Sequence, residues 1–113
     1  MRKDIHSFAD FWPYYLREHR KPETRALHYI GTTLVVGIGL FALVTGRLGF
    51  LLAMPIAGYF FAWVGHFGIE RNRPATFTYP LWSLFADFKM WVFWLTGKLD
   101  GELVKAGINP APR

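Results

Sequence analysis

Two apolar stretches decide the fold of this chain: residues 27–46, "LHYIGTTLVVGIGLFALVTG", and residues 48–69, "LGFLLAMPIAGYFFAWVGHFGI". Between residues 27 and 69 the only Lys, Arg, Asp or Glu is Arg47. Each stretch has about the 20 residues that a helix needs to cross a hydrocarbon core. A soluble core hairpin is disfavoured, because 113 residues cannot cover two helices that are apolar all round. The sequence predicts an all-α membrane protein built on an antiparallel transmembrane helical hairpin.

The charges lie outside these two stretches. The chain carries 13 Lys and Arg against 8 Asp and Glu, and every basic residue except Arg47 precedes the first stretch or follows the second. Loops rich in Lys and Arg stay in the cytoplasm, so both flanks are expected there and Arg47 on the opposite side. The basic residues are not interleaved with aromatic ones as on a base-stacking surface, so nucleic acid is not an expected partner. The absence of cysteine excludes thiolate metal sites.

Two flanking segments are predicted to be helical within one membrane domain, 1–113. Within residues 5–20, Ser7 with Asp10 three residues later resembles a helix start. Aromatic and apolar side chains recur there at steps of three or four residues, as on one face of a helix: Ile5, Phe8, Trp12, Tyr15 and His19. This segment is expected to be an interfacial helix with its aromatic face on lipid. Residues 80–97 form an aromatic helix that is either interfacial or a third membrane helix, and Asp87 makes spanning costly.

Three histidines are expected to meet at one end of the hairpin. His28 and His66 lie equally far in sequence from Arg47, so an antiparallel pair of helices places them at the same depth. His19 precedes the first span and can reach the same level, and Glu70 lies one helical turn beyond His66. Imidazoles with a carboxylate bind iron, zinc and similar divalent metals. The alternative is that each histidine is an interfacial polar residue with a backbone partner.

The segments "FADFWPYYLREHRKPETRALHYIGT" and "GHFGIERNRPATFTYPLWSLFADFKMW" resemble the family of small membrane proteins that includes the yeast 2-hydroxy-fatty-acid dioxygenase of phytosphingosine breakdown. Many members of the family are bacterial. The elements that carry the resemblance occur here in order as Glu18-His19, Pro22, Arg25, His28, Gly31-Thr32, Gly65-His66, Glu70, Asn72, Pro74-Ala75, Pro80, Ser83-Leu84 and Asp87. Thr24 stands where asparagine is expected, at a position that reads as a helix N-cap.

The resemblance implies a membrane-embedded Fe(II)-dependent dioxygenase in a bacterial inner membrane. It would act on long-chain 2-hydroxy fatty acids, releasing CO₂ and an acid one carbon shorter. By the resemblance, the iron ligands are His19, His28 and His66. The mechanism then assigns Glu70 or Asp87 to hold the second nitrogen of a histidine, with Glu70 also a candidate ligand.

Arginines near the histidines are candidates for binding the substrate. A long-chain acid would lie with its tail in lipid and its carboxylate at the interface. Guanidinium groups pair well with carboxylates, which points to Arg25, Arg71 and Arg73.

A rival interpretation is a non-enzymatic membrane protein that binds a partner or self-associates. Gly31, Gly37 and Gly39 in the first span would let a neighbouring helix approach closely. A homodimer is compatible with both interpretations. Bound iron that depends on the histidines separates the enzyme from the structural protein.

Overall fold

The computed structural model describes residues 5–108, and every regular element in that range is helical. Five α-helices follow in order: α1 (Phe8–Arg17), α2 (Pro22–Thr45), α3 (Ala53–Trp63), α4 (Pro80–Leu95) and α5 (Leu99–Lys105). A 3₁₀ segment, Leu48–Leu52, and a π-helical segment, Val64–Glu70, extend α3 at its two ends, and a short 3₁₀ turn, Ala75–Phe77, precedes α4.

Two helices of the described chain are long and apolar enough to cross a membrane: α2, and the continuous helix Leu48–Glu70 that contains α3. The chain reverses between them at Gly46, whose φ of 72° is a left-handed conformation that glycine adopts without strain. Many of their apolar side chains are exposed: Val44 has 84% and Leu52 has 76% of its surface accessible to solvent. Such a large uncovered apolar surface fits contact with lipid.

Glycines bring α2 close to α3. A Cβ added at Gly31 would lie 3.2 Å from Cβ of Phe61, and one added at Gly39 would lie 3.1 Å from Cε of Met54. Both glycines therefore face the chain's own second apolar helix, and the expectation that they serve a neighbouring molecule is wrong for these two. Gly37 has nothing within 4 Å of an added Cβ and stays available to a neighbour.

The buried core lies beside the apolar pair, where α1 packs against α4 and α5. Its largest fully buried side chains include Phe11, Tyr15, Leu16, Met90 and Leu103. Helix α1 begins as expected, since the Ser7 hydroxyl accepts a hydrogen bond from the Asp10 N–H at 3.2 Å. The expected orientation of its aromatic face is wrong. Those side chains point into the core and not toward lipid, because α4 and α5 cover them.

Helix α4, Pro80–Leu95, lies within the segment 80–97 that was predicted to be helical, whereas α5 was not predicted. With 16 residues, α4 rises about 24 Å. That length falls short of the roughly 30 Å of a hydrocarbon core, which favours the interfacial alternative for this helix. Helix α5 is joined to α1 by a hydrogen bond that Trp12 Nε1–H donates to Glu102 Oε1 at 2.9 Å.

The first apolar helix starts earlier than residue 27. Lys21 is its N-cap residue and Pro22 occupies its first turn, where a missing N–H costs nothing. The N-cap expectation for Thr24 is therefore wrong. Thr24 lies inside the first turn, fully buried, and its hydroxyl has no hydrogen-bond partner among the described residues.

Candidate metal centre

Three buried histidines from three separate elements meet at one end of the apolar helix pair. His19 follows the end of α1, His28 lies in α2, and His66 lies in the π-helical segment. One ring nitrogen of each lies within 4.8 Å of the others. Their side chains are 1%, 5% and 2% exposed, respectively. We call this group the trihistidine cluster.

The π-helical segment and Gly65 bring His66 to the other two histidines. A Cβ at Gly65 would lie 2.9 Å from Cγ2 of Thr24, so any larger residue would push this segment away from α2. Helical segments with an inserted residue of this kind often occur at functional sites, because they rotate side chains out of the α-helical register. The segment ends at Glu70, its C-cap residue Arg71 has a φ of 59°, and the Asn72 N–H donates to the His66 carbonyl at 2.9 Å.

Each histidine of the cluster donates its Nδ1–H to an oxygen held by the fold. His19 donates to the Tyr15 carbonyl at 2.7 Å, and His28 donates to the Thr24 carbonyl at 3.1 Å. His66 donates to Oδ1 of Asn72 at 2.7 Å. A neutral imidazole that carries its proton on Nδ1 has its lone pair on Nε2. All three side chains are thus set up as Nε2 ligands.

The Nε2 atoms of the cluster face one another. Nε2 of His19 lies 3.0 Å from Nε2 of His28 and 3.0 Å from Nε2 of His66. Burial, with the other two rings, holds the pKa of His19 well below its ordinary value, so this imidazole is neutral near pH 7. Converging lone pairs without a proton between them repel, and a cation relieves the repulsion.

The donor set fits a transition-metal ion. Two nitrogens 3.0 Å apart and each about 2.1 Å from one ion subtend an angle of about 90° at the ion. That angle is nearer to the octahedral value than to the tetrahedral one. Three imidazoles suit iron, copper, nickel and zinc, and the fixed Nδ1 partners supply the orientation that metal-bound histidines need.

A second polar pair, the buried Tyr15 and the partly buried Asp87, lies next to the cluster. The Tyr15 hydroxyl donates to Oδ1 of Asp87, and the Tyr15 ring packs 4.1 Å, centroid to centroid, from the His19 ring. Burial raises the pKa of Asp87 to about 7, which Tyr15 partly opposes, and burial also raises the pKa of Tyr15. A cavity of about 20 Å³ borders both residues, the three histidines and Ser83. That space is enough for about one water molecule.

The carboxylates that were expected to hold a second histidine nitrogen do not do so. Those nitrogens already bond to Tyr15, Thr24 and Asn72. Glu70 instead accepts a hydrogen bond from the Lys21 N–H at the start of α2, and Asp87 accepts one from Tyr15.

The three arginines that were predicted to bind substrate lie in different surroundings. Arg25 is buried, and its Nη1 donates to the carbonyls of His19 and Arg20, both at 2.8 Å, which fixes the turn between α1 and α2. Arg71 and Arg73 are exposed and border an open depression with Asn72. Arg73 also lies over the Phe77 ring at 5.0 Å.

Sequence reasoning missed three residues that shape the site. Asn72 holds His66 and also donates from Nδ2 to the Glu18 carbonyl at 3.0 Å. Ser83 is 3% exposed, and its hydroxyl has no partner within the described chain. Tyr15 could have been found, since it stands four residues before His19 on one helix face. Asn72 and Ser83 had only their place in the family elements to mark them.

Together these features define an all-helical protein with two helices that could span a membrane and a buried three-histidine group that could bind a metal. The family model for 2-hydroxy-palmitic acid dioxygenase Mpo1-like proteins matches residues 5–99, and the chain belongs to this Mpo1-like family. No curated protein and no solved structure matches the chain.

Proposed function

We propose that this protein is a membrane-embedded Fe(II)-dependent dioxygenase that acts on long-chain 2-hydroxy fatty acids. The observation that carries the proposal is the trihistidine cluster, in which three Nε2 lone pairs converge and every Nδ1–H is already used. The family description supplies the substrate class, and its word dioxygenase favours iron over the redox-inactive zinc.

The reaction would consume O₂ and convert the 2-hydroxy acid into an acid one carbon shorter, CO₂ and water. Fe(II), when bound, would supply the activation of O₂. The chain's own residues would bind and orient the substrate and keep bulk water out, because the three histidines are buried. Ser83 and Asp87 border the small cavity beside the cluster and offer hydrogen bonds to the substrate's hydroxyl or carboxylate. Glu70 is assigned a supporting role, since it anchors the start of α2 near His19 and His28.

The proposed placement has α2 and Leu48–Glu70 crossing the membrane as an antiparallel hairpin in a multi-pass protein of a bacterial inner membrane. The trihistidine cluster would lie at the cytoplasmic end, because the basic residues flank that end and Arg47 occupies the other. Arg71 and Arg73 would then face the headgroup region, where they can attract the carboxylate of an arriving acid. A substrate with its tail in lipid reaches the site without leaving the membrane.

The test is the iron content of protein purified anaerobically with Fe(II). We expect about one iron per wild-type chain and an iron content about tenfold lower in His19→Ala, His28→Ala and His66→Ala. The matched control is His6→Ala, because His6 is an exposed histidine outside the cluster. Full iron content in all three cluster variants would refute the metal site. No iron in any protein would favour the non-enzymatic alternative.

The activity has its own measurement. Wild-type protein with Fe(II) should release CO₂ from 2-hydroxyhexadecanoic acid in the presence of O₂, and should leave hexadecanoic acid unchanged. Iron binding without CO₂ release would support the proposed metal site and refute the proposed substrate class.

A further inference from the structure

A second, larger cavity lies beside the trihistidine cluster. It is a groove of about 370 Å³ whose lining is mostly apolar. The three helices α2, α3 and α4 each contribute one face to it. We call it the α2–α4 groove. Its volume lies within the range of about 300–1,000 Å³ that is typical of small-molecule sites.

The groove and the small cavity at the cluster adjoin each other. His28, Tyr59, Ala62 and Asp87 line both of them. A molecule whose polar end lies at the cluster has the groove as the neighbouring apolar space for its next atoms. The polar groups stand at this junction, and the lining becomes apolar with distance from it.

The groove runs along the apolar helices and away from the cluster. Along α2 the lining residues are His28, Thr32 and Val35, which share one helix face and span about 10 Å. Along the second apolar helix the lining extends from Ala62 to Met54, whose methyl group lies against Gly39. Met54 thus stands at the end of the groove that is farthest from the histidines.

We propose that the α2–α4 groove binds the hydrocarbon tail of the substrate and that Met54 limits the length of tail it accepts. This inference rests on the proposed function, which places the carboxylate end at the cluster. The occupant is a single acyl chain and not a bulk lipid, because the groove shares a wall with the polar cavity that would hold the acid's head. Met54 is flexible and polarizable, and such a side chain adapts to the end of a tail.

The test uses Met54→Trp, with Ile56→Trp as the matched control. Ile56 lies on the same helix, is 71% exposed and does not line the groove. Binding of 2-hydroxyhexadecanoic and 2-hydroxyoctanoic acids to metal-free protein is measured by displacement of a fluorescent polyene fatty acid. We expect the ratio of the two affinities to fall about tenfold in Met54→Trp, as for an overpacked apolar site, and to stay unchanged in Ile56→Trp.

A second variant guards against misfolding. Met54→Ala enlarges the groove and should shift the preference toward acids longer than 2-hydroxyhexadecanoic acid. Equal effects of Met54→Trp and Ile56→Trp on the binding of both acids would refute the proposal that the groove binds the tail, even if the wild type releases CO₂. If the wild type binds both acids and releases no CO₂, the proposed activity fails, while a selective loss in Met54→Trp still supports the groove.

Discussion

Replacement of Asn72 by alanine should weaken metal binding by about tenfold to a hundredfold, although Asn72 is not itself a proposed ligand. The amide Oδ1 accepts the Nδ1–H of His66 at 2.7 Å and so keeps the His66 lone pair on Nε2, directed at the cluster. Without that acceptor, the ring can rotate or take its proton on Nε2. The expected loss corresponds to about 1.4–2.8 kcal/mol of binding free energy.

Asn72→Asp provides the matched control. Aspartate keeps an acceptor opposite Nδ1 of His66 and removes the donor that reaches the Glu18 carbonyl at 3.0 Å. We expect this variant to retain metal affinity and to lose about 1–3 kcal/mol of stability, because two acceptors then face each other.

The assay is competition for Fe(II) against a chelator of known affinity under anaerobic conditions, with thermal denaturation of the metal-free protein alongside it. If Asn72→Ala binds Fe(II) as tightly as the wild type, the hydrogen bond to His66 does not set the geometry of the site. If both variants lose metal equally, Asn72 acts through the turn and not through His66.

Three further predictions concern packing, the substrate and pH. Gly65→Ala should cost about 1–3 kcal/mol of stability, since its Cβ would lie 2.9 Å from Cγ2 of Thr24. Ser83→Ala should leave thermal stability unchanged, because its buried hydroxyl makes no bond to the described residues, and should raise the KM for the 2-hydroxy acid. The contribution of Asp87 to stability should fall as pH rises from the ordinary Asp pKa of 3.8 to about 7, because folded Asp87 holds its proton longer than the unfolded chain does, whereas His19, whose pKa burial lowers, acts in the opposite direction. Asp87→Asn should remove this contribution, while the amide oxygen of the new side chain still accepts a hydrogen bond from the Tyr15 hydroxyl.

Each of these has a control or a contradicting result. Gly68→Ala is the control for Gly65→Ala, because a Cβ added at Gly68 meets nothing within 4 Å. Equal losses of stability in the two variants would show that lost backbone freedom, and not the contact with Thr24, is the cause. A large fall in melting temperature in Ser83→Ala would point to a structural role for Ser83. A melting temperature that rises between pH 4 and pH 7 equally in wild type and Asp87→Asn would show that Asp87 stays ionised in the folded protein.

The apolar helices could be predicted because their signal is local. A stretch such as 27–46 is apolar at every position, so composition and length alone predict a helix that can span a membrane. Equal sequence separation from Arg47 likewise indicated that His28 and His66 share a depth. The sequence thus determined the helical class, the two long apolar helices and the three histidines as candidates.

Other features depend on contacts between residues that are far apart in sequence. The aromatic spacing in α1 is the same whether its face contacts lipid or protein. In the structure α4 and α5 cover Phe11 and Tyr15, so this face contacts protein. Gly31 and Gly39 contact residues of α3, which lie far away in sequence. The sequence alone therefore could not show whether these glycines face a helix of the same chain or a helix of another molecule.

The chemistry of the site was decided by the tertiary structure. Which nitrogen of a histidine carries the proton depends on the acceptor placed beside it, and those acceptors are two carbonyls and the side chain of Asn72. The π-helical turn and the missing side chain at Gly65 then bring His66 against α2. The sequence alone determined which residue types were available for a metal site, and the packing of three elements directed their lone pairs to one point.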